Sequence, residues 1–510
     1  MRKDTQLFTL KNNFDSLVAA VLGGIFIFIL TNYHGIGISP DSVSYTGVAR
    51  NIRLGRWLID FDDNPLIIFP GGYPVFLGLS SRIFSLDVLR IAPWLNALLV
   101  GMVIYLNGCM IERFHQRSWW HKWAILSILP ISYTILDVYT MLWSETLFIA
   151  LGCFFLVYVK KYLSSPSFLN LLLPALFTSL ACDTRIAGIS LLGTGLLLIA
   201  FQYKIPILKK LLHLVVYAAV GIALLLVNLI RNQQESGTLT GVRQKSITPL
   251  LSNIQYVGET FMQWFQLPNG NHILAISFGI SVILVLGIVF LYRFFVLEKQ
   301  TAFETINLAF CLVYIFFIII TSTISKYEKI NDRLLAPAFI PLLLGISFYI
   351  SQLIRKINAK PLKIAVLIFF AALFFLLQYK QIKSAWELQV EYKENGIPGY
   401  SELGWQQSDL VQFLKSKKDF FKKGTYIYSN ANEAVYYYNN NLPAQNLPEP
   451  VHDTDLQDYH NSDPNYIIWF TNEFDNPAIM RLKEIAKFRQ LDTLVKLNDG
   501  IILWSSPKKK

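Results

Sequence analysis

Eleven apolar runs occupy the first three-quarters of the chain, near residues 15–34, 88–112, 122–138, 140–160, 168–183, 186–203, 209–230, 272–296, 302–323, 333–354 and 361–379. A helix needs about 20 apolar residues to cross about 30 Å of hydrocarbon, so most of these runs can span a bilayer, the fifth and sixth being short for it. They predict a polytopic α-helical membrane protein of about 11 transmembrane helices, with residues 1–380 as the membrane domain. The composition agrees: 53% of residues are hydrophobic and only 15% charged, a balance rare in water-soluble proteins.

The net charge of +11 would suggest a nucleic-acid partner in a soluble chain. Here the cations fall in short loops, where they set topology instead. With the N-terminus in the cytoplasm, every inside loop is basic: Arg2, Lys3 and Lys11; Arg113, Arg117 and Lys122; Lys160 and Lys161; Lys204, Lys209 and Lys210; Arg293 and Lys299; Arg355, Lys356, Lys360 and Lys363. No nucleic-acid partner is expected. MRKDTQLFTLKNN resembles the basic flank of a signal peptide, but no small-residue cleavage pattern follows the first apolar run, which reads as a retained anchor. An odd number of spans then leaves residues 381–510 outside. That tail reads as a small α/β domain: SDLVQFLKSKKDFF as an N-capped helix, TYIYSN and NYIIWF as strands, PAIMRLKEIAKF as a helix opened by proline, and LDTLVKLNDGIILWSS as a hairpin turning at Asp-Gly. It has no cysteine and must be stable without disulfides. Cys109, Cys153, Cys182 and Cys311 lie in or beside apolar segments without metal-ligand spacing and read as packing residues. The histidines are scattered, so no metal site is predicted from them.

The first outer loop, residues 39–84, is too polar to cross a bilayer and too apolar to float free. It opens with Asp41 after Pro40. In VSYTGVARNIRLG, Val43, Val48 and Ile52 share one helical face and Arg50, Arg53 and Arg56 take others, as in a helix lying in the membrane interface. FPGGYPVFLGLSSRIF turns the chain and begins a second short helix. Asp41 also suits a helix N-cap, Tyr45 an interfacial aromatic, and the arginines interfacial anchors. With this topology Asp41, Asp137, Glu145, Asp183, Arg185, Arg231, Asp332 and Arg333 all fall at the outer ends of spans. Charges near the bilayer tend to line a cavity or pair, so acids and arginines at one depth suggest a shared polar pocket.

These residues carry a resemblance. SPDSVSYTGVARNIRLG followed by FPGGYPVFLGLSSRIF resembles the first outer loop of bacterial C-type membrane glycosyltransferases, the superfamily that includes protein mannosyltransferases and the lipid A aminoarabinose transferase. MLWSETLF, CDTRIAGISLL, LIRNQQESGTLTGVR and NDRLLAPAFIPLL are similar to its later landmarks, in the same order. The resemblance implies a multi-pass protein of the bacterial cytoplasmic (inner) membrane and a donor sugar carried on a polyprenyl phosphate. It also implies an acid in the first outer loop that activates the acceptor, the position matched by Asp41. Relatives with an Asp-Glu pair have a second carboxylate where Ser42 stands, which leaves open the acceptor (envelope lipid, glycan or protein) and a divalent metal; no other cofactor is implied.

Glycosyl transfer needs a base for the attacking hydroxyl and cations for the leaving phosphate. Asp41 suits the first task. Arg185, Arg231 and Arg333, with Arg243 and Lys326 behind them, suit the second, because a guanidinium fork holds two phosphate oxygens. Glu145 is placed to orient the sugar or an arginine, with Tyr45 and Asp183 as further substrate contacts. Two other classes compete. An O-antigen ligase or polymerase should carry a large outer loop between late spans instead of a C-terminal domain. A lipid or solute transporter should show inverted repeats and polar groups at mid-membrane depth.

Overall fold

The computed structural model describes residues 10–114, 119–241, 243–268, 270–326, 328–417, 419–439, 442–448, 453–471 and 479–508. Arg2, Lys3, Arg117 and Pro477, which figured in the expectations above, lie outside them. The chain divides into two compact units: Met1–Asn32, Ile67–Tyr73 and Ala92–Val390 in the first, and Tyr33–Leu66, Pro74–Ile91 and Glu391–Lys510 in the second.

Every apolar run of the sequence is helical. Among the described residues eight helices are long and apolar enough to cross a membrane: α1 (Leu10–Asn32), α4 (Val88–Ile111), α7 (Glu145–Ser164), α10 (Ile207–Ser236), α12 (His272–Leu291, continued by a π turn to Val296), α13 (Phe303–Ile324), α14 (Asp332–Lys356) and α15 (Lys360–Asn395). The run near 122–138 is a bent pair, α5 (Trp119–Ile128) and α6 (Tyr133–Thr140), with 43° between them. Pro130 lies at the break, where a ring without an N–H interrupts the helical ladder. The fifth and sixth runs are the shorter α8 (Phe168–Thr184) and α9 (Ile189–Ala200). The chain is a multi-pass membrane protein.

One helix of this unit was not expected. α11 (Leu250–Trp264) is amphipathic and follows Pro249. It packs on α12 by backbone contact: a Cβ on Gly258 would fall 1.9 Å from the Ala275 carbonyl oxygen, and one on Gly279 would fall 3.1 Å from the Gly258 Cα. Buried ion pairs tie other helices. Lys122 of α5 reaches Asp15 of α1 at 2.6 Å and Glu112 at 3.1 Å, and Arg293 reaches Glu304 of α13 at 2.5 Å with its guanidinium over the Phe348 ring. Two of the cations that obey the positive-inside rule are therefore engaged inside the protein.

In the second unit, α2 (Pro40–Arg53) and α3 (Gly72–Phe84, its first two residues in the first unit) are the two helices read in the first outer loop. Ten of the fourteen α2 residues are buried, Ser42, Ser44 and Thr46 among them. Arg50 pairs through two hydrogen bonds with Asp87 (2.9 and 3.0 Å), and Arg56 meets Asp63 at 2.6 Å, so these arginines have carboxylate partners within the protein. The loop is joined to the C-terminal segment. Ile38 bridges Gly399, whose φ of +93° and close approach to the Ile38 carbonyl suit only glycine; Tyr400 N–H donates to the Ile38 oxygen at 2.8 Å.

The C-terminal segment carries a five-stranded mixed sheet in the order β2-β1-β3-β5-β4, with β1 (Ile427–Ser429), β2 (Gln445–Asn446), β3 (Asn465–Phe470), β4 (Arg489–Lys496) and β5 (Gly500–Pro507). β1 is parallel to β2 and β3, whereas β3, β5 and β4 are antiparallel. The two strands and the hairpin predicted from sequence are these β1, β3 and β4–β5. The first predicted helix is shorter than expected, Asp409–Ser416 (α17), with Ser408 as its cap; the short α16 (Leu403–Gln407) precedes it. The second is reduced to one turn, Leu482–Ile485 (α20). α18 (Asn432–Tyr438), which packs on α2, and α19 (Asp453–Asn461) complete the set. Arg489 is buried and satisfied without a carboxylate, donating to Ser505 Oγ (2.6 Å) and to the carbonyls of Tyr459, Ser462 and Asp463 (3.0, 3.0 and 3.1 Å).

Gly258→Val should force α11 from α12 and cost about 1–3 kcal/mol, read as a lowered unfolding midpoint in detergent. A second expectation concerns Asp60 in the first outer loop. Burial pushes its carboxyl up to about 6, against hydrogen bonds from Ser44 Oγ (2.6 Å) and the Phe61 N–H (2.7 Å). The folded state therefore holds this proton more tightly than the unfolded chain, and its penalty grows as pH rises from about 4 through about 6. Asp60→Asn should be more stable than the parent by about 1–2 kcal/mol at pH 8, with the gain shrinking toward pH 4, in parallel unfolding curves.

Candidate active site

In the membrane unit, three of the residues singled out from sequence meet. Glu145 is the first residue of α7, where an acid is favoured by the helix dipole. Its carboxylate has no solvent exposure and lies between two arginines: Oε1 is 2.7 Å from Arg333 Nε, and Oε2 is 2.7 Å from Arg185 Nη1. Arg185 also donates to Ser144 Oγ at 2.9 Å. It occupies an extended residue (φ −151°) between α8 and a 3-10 turn, Ile186–Gly188. That corner is tight: a Cβ on Gly188 would fall 2.4 Å from the Cys182 nitrogen.

Arg333 lies in the first turn of α14, which is capped by Asn331 accepting from the Leu334 N–H. Its guanidinium lies over the Trp143 ring, 4.2 Å from the centroid. The arginine side chains keep 16% and 13% of their surface, and Arg333 Nη1 also lies 3.8 Å from Glu328 Oε1. Asp332 turns away to accept from Thr134 Oγ1 (2.9 Å) and Trp264 Nε1. Asp137 of α6 is within electrostatic reach of Arg333, Asp332 and Glu145.

Asp183, Arg231 and Arg243 gather instead around the Ile67–Tyr73 segment. Gly72 touches the Asp183 backbone, since a Cβ there would be 2.7 Å from its carbonyl oxygen; this accounts for the second glycine of FPGGYP. Arg231 interacts electrostatically with Asp183 and donates to Asn232 Oδ1 at 2.7 Å, while Asn232 donates to the Ile67 carbonyl at 3.1 Å. Arg243 donates to the carbonyls of Ile68 (3.0 Å) and Thr240 (3.1 Å). Lys326 is bonded to Gln244 Oε1 at 2.7 Å. Arg243 and Lys326 thus anchor loop segments and make no direct contact with Glu145.

In the second unit, Asp41 lies in the first turn of α2 and is partly exposed, with Tyr45 buried one turn later. The cap of this helix is Ser39, not Asp41. Ser42 Oγ accepts the Ser39 N–H at 3.1 Å and meets Ser39 Oγ at 3.0 Å. Ser42 therefore closes the helix. Glu433 of α18 faces Asp41 and Asp62 electrostatically, and burial, with those acids adding to it, pushes its carboxyl up. Among the described residues no group of three or more His, Cys, Asp or Glu is arranged to hold a metal ion.

Sequence reasoning missed the platform under Arg333. Trp143 was visible in MLWSETLF, two residues before the acid, but nothing in the sequence says that an arginine 190 residues later lies on it.

No family model and no curated protein matches the chain. Solved structures do. The apo structure of ArnT from Cupriavidus metallidurans is similar with a TM-score of 0.58 at 11% identity, over 96% of this chain and 97% of that one. The same protein bound to undecaprenyl phosphate is similar with a TM-score of 0.58 at 10% identity, over the same shares. The archaeal oligosaccharyltransferase AglB from Archaeoglobus fulgidus, in complex with an inhibitory peptide and a dolichol-phosphate, gives a TM-score of 0.52 at 11% identity, over 90% of this chain and 69% of that one. At such identities the likeness is one of fold, and it extends over nearly the whole chain. The chain has the fold of the C-type membrane glycosyltransferases.

Proposed function

We propose that this protein moves a sugar from a polyprenyl-phosphate donor to a hydroxyl acceptor, an envelope lipid, glycan or protein, at the outer face of the bacterial cytoplasmic membrane. The observation that carries the proposal is the arginine pair held on the fully buried Glu145, each arginine side chain keeping part of its surface accessible to solvent. Likeness of fold to a protein bound to undecaprenyl phosphate and to one bound to a dolichol-phosphate supports it. In this reading about eleven spans leave the N-terminus in the cytoplasm and the C-terminal segment outside.

During transfer the bond between sugar C1 and the phosphate oxygen breaks through an oxocarbenium-like state, and a bond from C1 to the acceptor oxygen forms. Asp41 takes the proton that the acceptor hydroxyl loses. The leaving prenyl phosphate gains charge, which Arg185 and Arg333 stabilise because their guanidinium groups are already fixed by Glu145, Ser144 and Trp143. Glu145 acts through the arginines as a positioning residue. Tyr45, Asp183, Arg231, Arg243 and Lys326 are assigned to shaping the substrate path.

Asp41→Asn should lower transfer by about 100-fold or more while the protein still inserts and folds, since Ser39 and not Asp41 caps α2. The measurement is complementation of cells lacking the protein, read by mass spectrometry of envelope glycolipids and glycans; near-normal product from the variant removes Asp41 as the base. Glu145→Gln should remove the carboxylate that two buried guanidinium groups share and cost about 3–5 kcal/mol in stability, read as a lowered unfolding midpoint in detergent. Arg333→Lys should keep the fold but weaken undecaprenyl phosphate binding about tenfold, because the ammonium lacks the fork; equal affinity in a titration would move the phosphate site elsewhere.

A further inference from the structure

The first turn of α14 faces two ways, and only one has been used so far. Arg333 goes to Glu145, whereas Asp332 goes to Thr134 and Trp264. Those two residues are also walls of a cavity of about 240 Å³. The remaining walls are the amides of Gln263, Gln266 and Gln381 and the hydroxyls of Tyr133 and Ser384. Gln381 is buried and held by its Oε1, which accepts the Tyr133 N–H at 3.1 Å. Gln381 and Ser384 lie just past the apolar run of α15, at the boundary where its polar stretch begins.

The lining selects a ligand class. No side chain in it carries a charge, and the nearby Lys380 donates to the Gln266 carbonyl at 2.9 Å, so the lining offers a phosphate no cation. A prenyl chain would bring no hydrogen-bonding group to a lining made of three glutamines, a tyrosine, a threonine and a serine beside Trp264. Amides and hydroxyls both donate and accept, which matches a neutral ring bearing hydroxyls, and the indole of Trp264 offers a face for its C–H side. Asp332 is not part of the lining but is bonded to two of its residues, Thr134 and Trp264, and its Oδ2 is buried with no hydrogen-bond partner among the described residues. We infer that the cavity between α6, α11 and α15 is a subsite for a neutral sugar ring, placed behind the α14 turn that holds Arg333.

This inference deepens the transfer reading and rests on it only for the source of the ring, donor or acceptor. The test uses the full-length protein in lipid nanodiscs. Saturation-transfer NMR is recorded with methyl glucoside, methyl mannoside and methyl N-acetylglucosaminide, and undecaprenyl phosphate binding is measured on the same samples. At least one glycoside should bind. Ser384→Trp, which fills the cavity, should abolish that binding, and the double variant Gln263→Ala/Gln266→Ala should weaken it about tenfold. Both variants should bind undecaprenyl phosphate like the parent. Competition by a polyprenyl-phosphate hexose, but not by undecaprenyl phosphate alone, assigns the ring to the donor; no competition from either assigns it to the acceptor. The inference is overturned if no glycoside binds a parent protein that still binds undecaprenyl phosphate, if Ser384→Trp binds glycosides unchanged, or if undecaprenyl phosphate alone displaces them. Glycoside binding without any undecaprenyl phosphate binding would sustain the subsite and sink the donor reading.

Discussion

A carboxylate with no access to water, Glu145, holds two guanidinium groups from distant parts of the chain, and one end of the membrane unit is organised around it. Removing such a group from water costs several kcal/mol, which attraction to its partners repays only with good geometry. Buried ion pairs are therefore weak arguments for stability. Their better use is to fix position, and here the first turn of α7, the corner after α8 and the first turn of α14 are set by one acid. The arginines need no reorganisation when a charge develops near them, which is the condition under which fixed dipoles and ions outperform water.

The same kind of interaction serves a different purpose elsewhere in the unit. In the pairs of Lys122 with Asp15 and Glu112, and of Arg293 with Glu304, the cation is deeply buried: the lysine keeps 1% of its side-chain surface and Arg293 keeps 8%. Arg185 and Arg333 keep 16% and 13%. The difference in residual exposure separates cations sunk in the helix packing from cations that retain some access to solvent, and it is not visible in a list of charges at span ends.

Much of the architecture was legible because lipid is a demanding solvent. Each apolar run had to be a helix, and the Asp-Gly hairpin and the β-branched strands of the tail announced themselves by local chemistry. The meeting of Glu145, Arg185 and Arg333 was foreshadowed by their common side of the bilayer. What escaped was set by tertiary contact. α11 has no span-length apolar run, and its place is fixed by glycines that admit α12. α2 looked amphipathic, yet protein covers most of it, hydroxyl side chains included. Arg243 and Lys326 carry the right charge for a phosphate but are engaged by carbonyl and amide oxygens of adjoining loop segments. Ser42 seemed a lost carboxylate and proves to be half of a helix cap.

The C-terminal sheet fastens its edge hairpin with Arg489, a cation enclosed by carbonyl oxygens over the ring of Tyr459. Small domains often rely on oxidised cysteine pairs for this task, and this segment contains no cysteine at all. Its cohesion is consequently indifferent to redox poise: the sheet needs neither an oxidase nor an isomerase to mature, and it can assemble equally well in a reducing expression host.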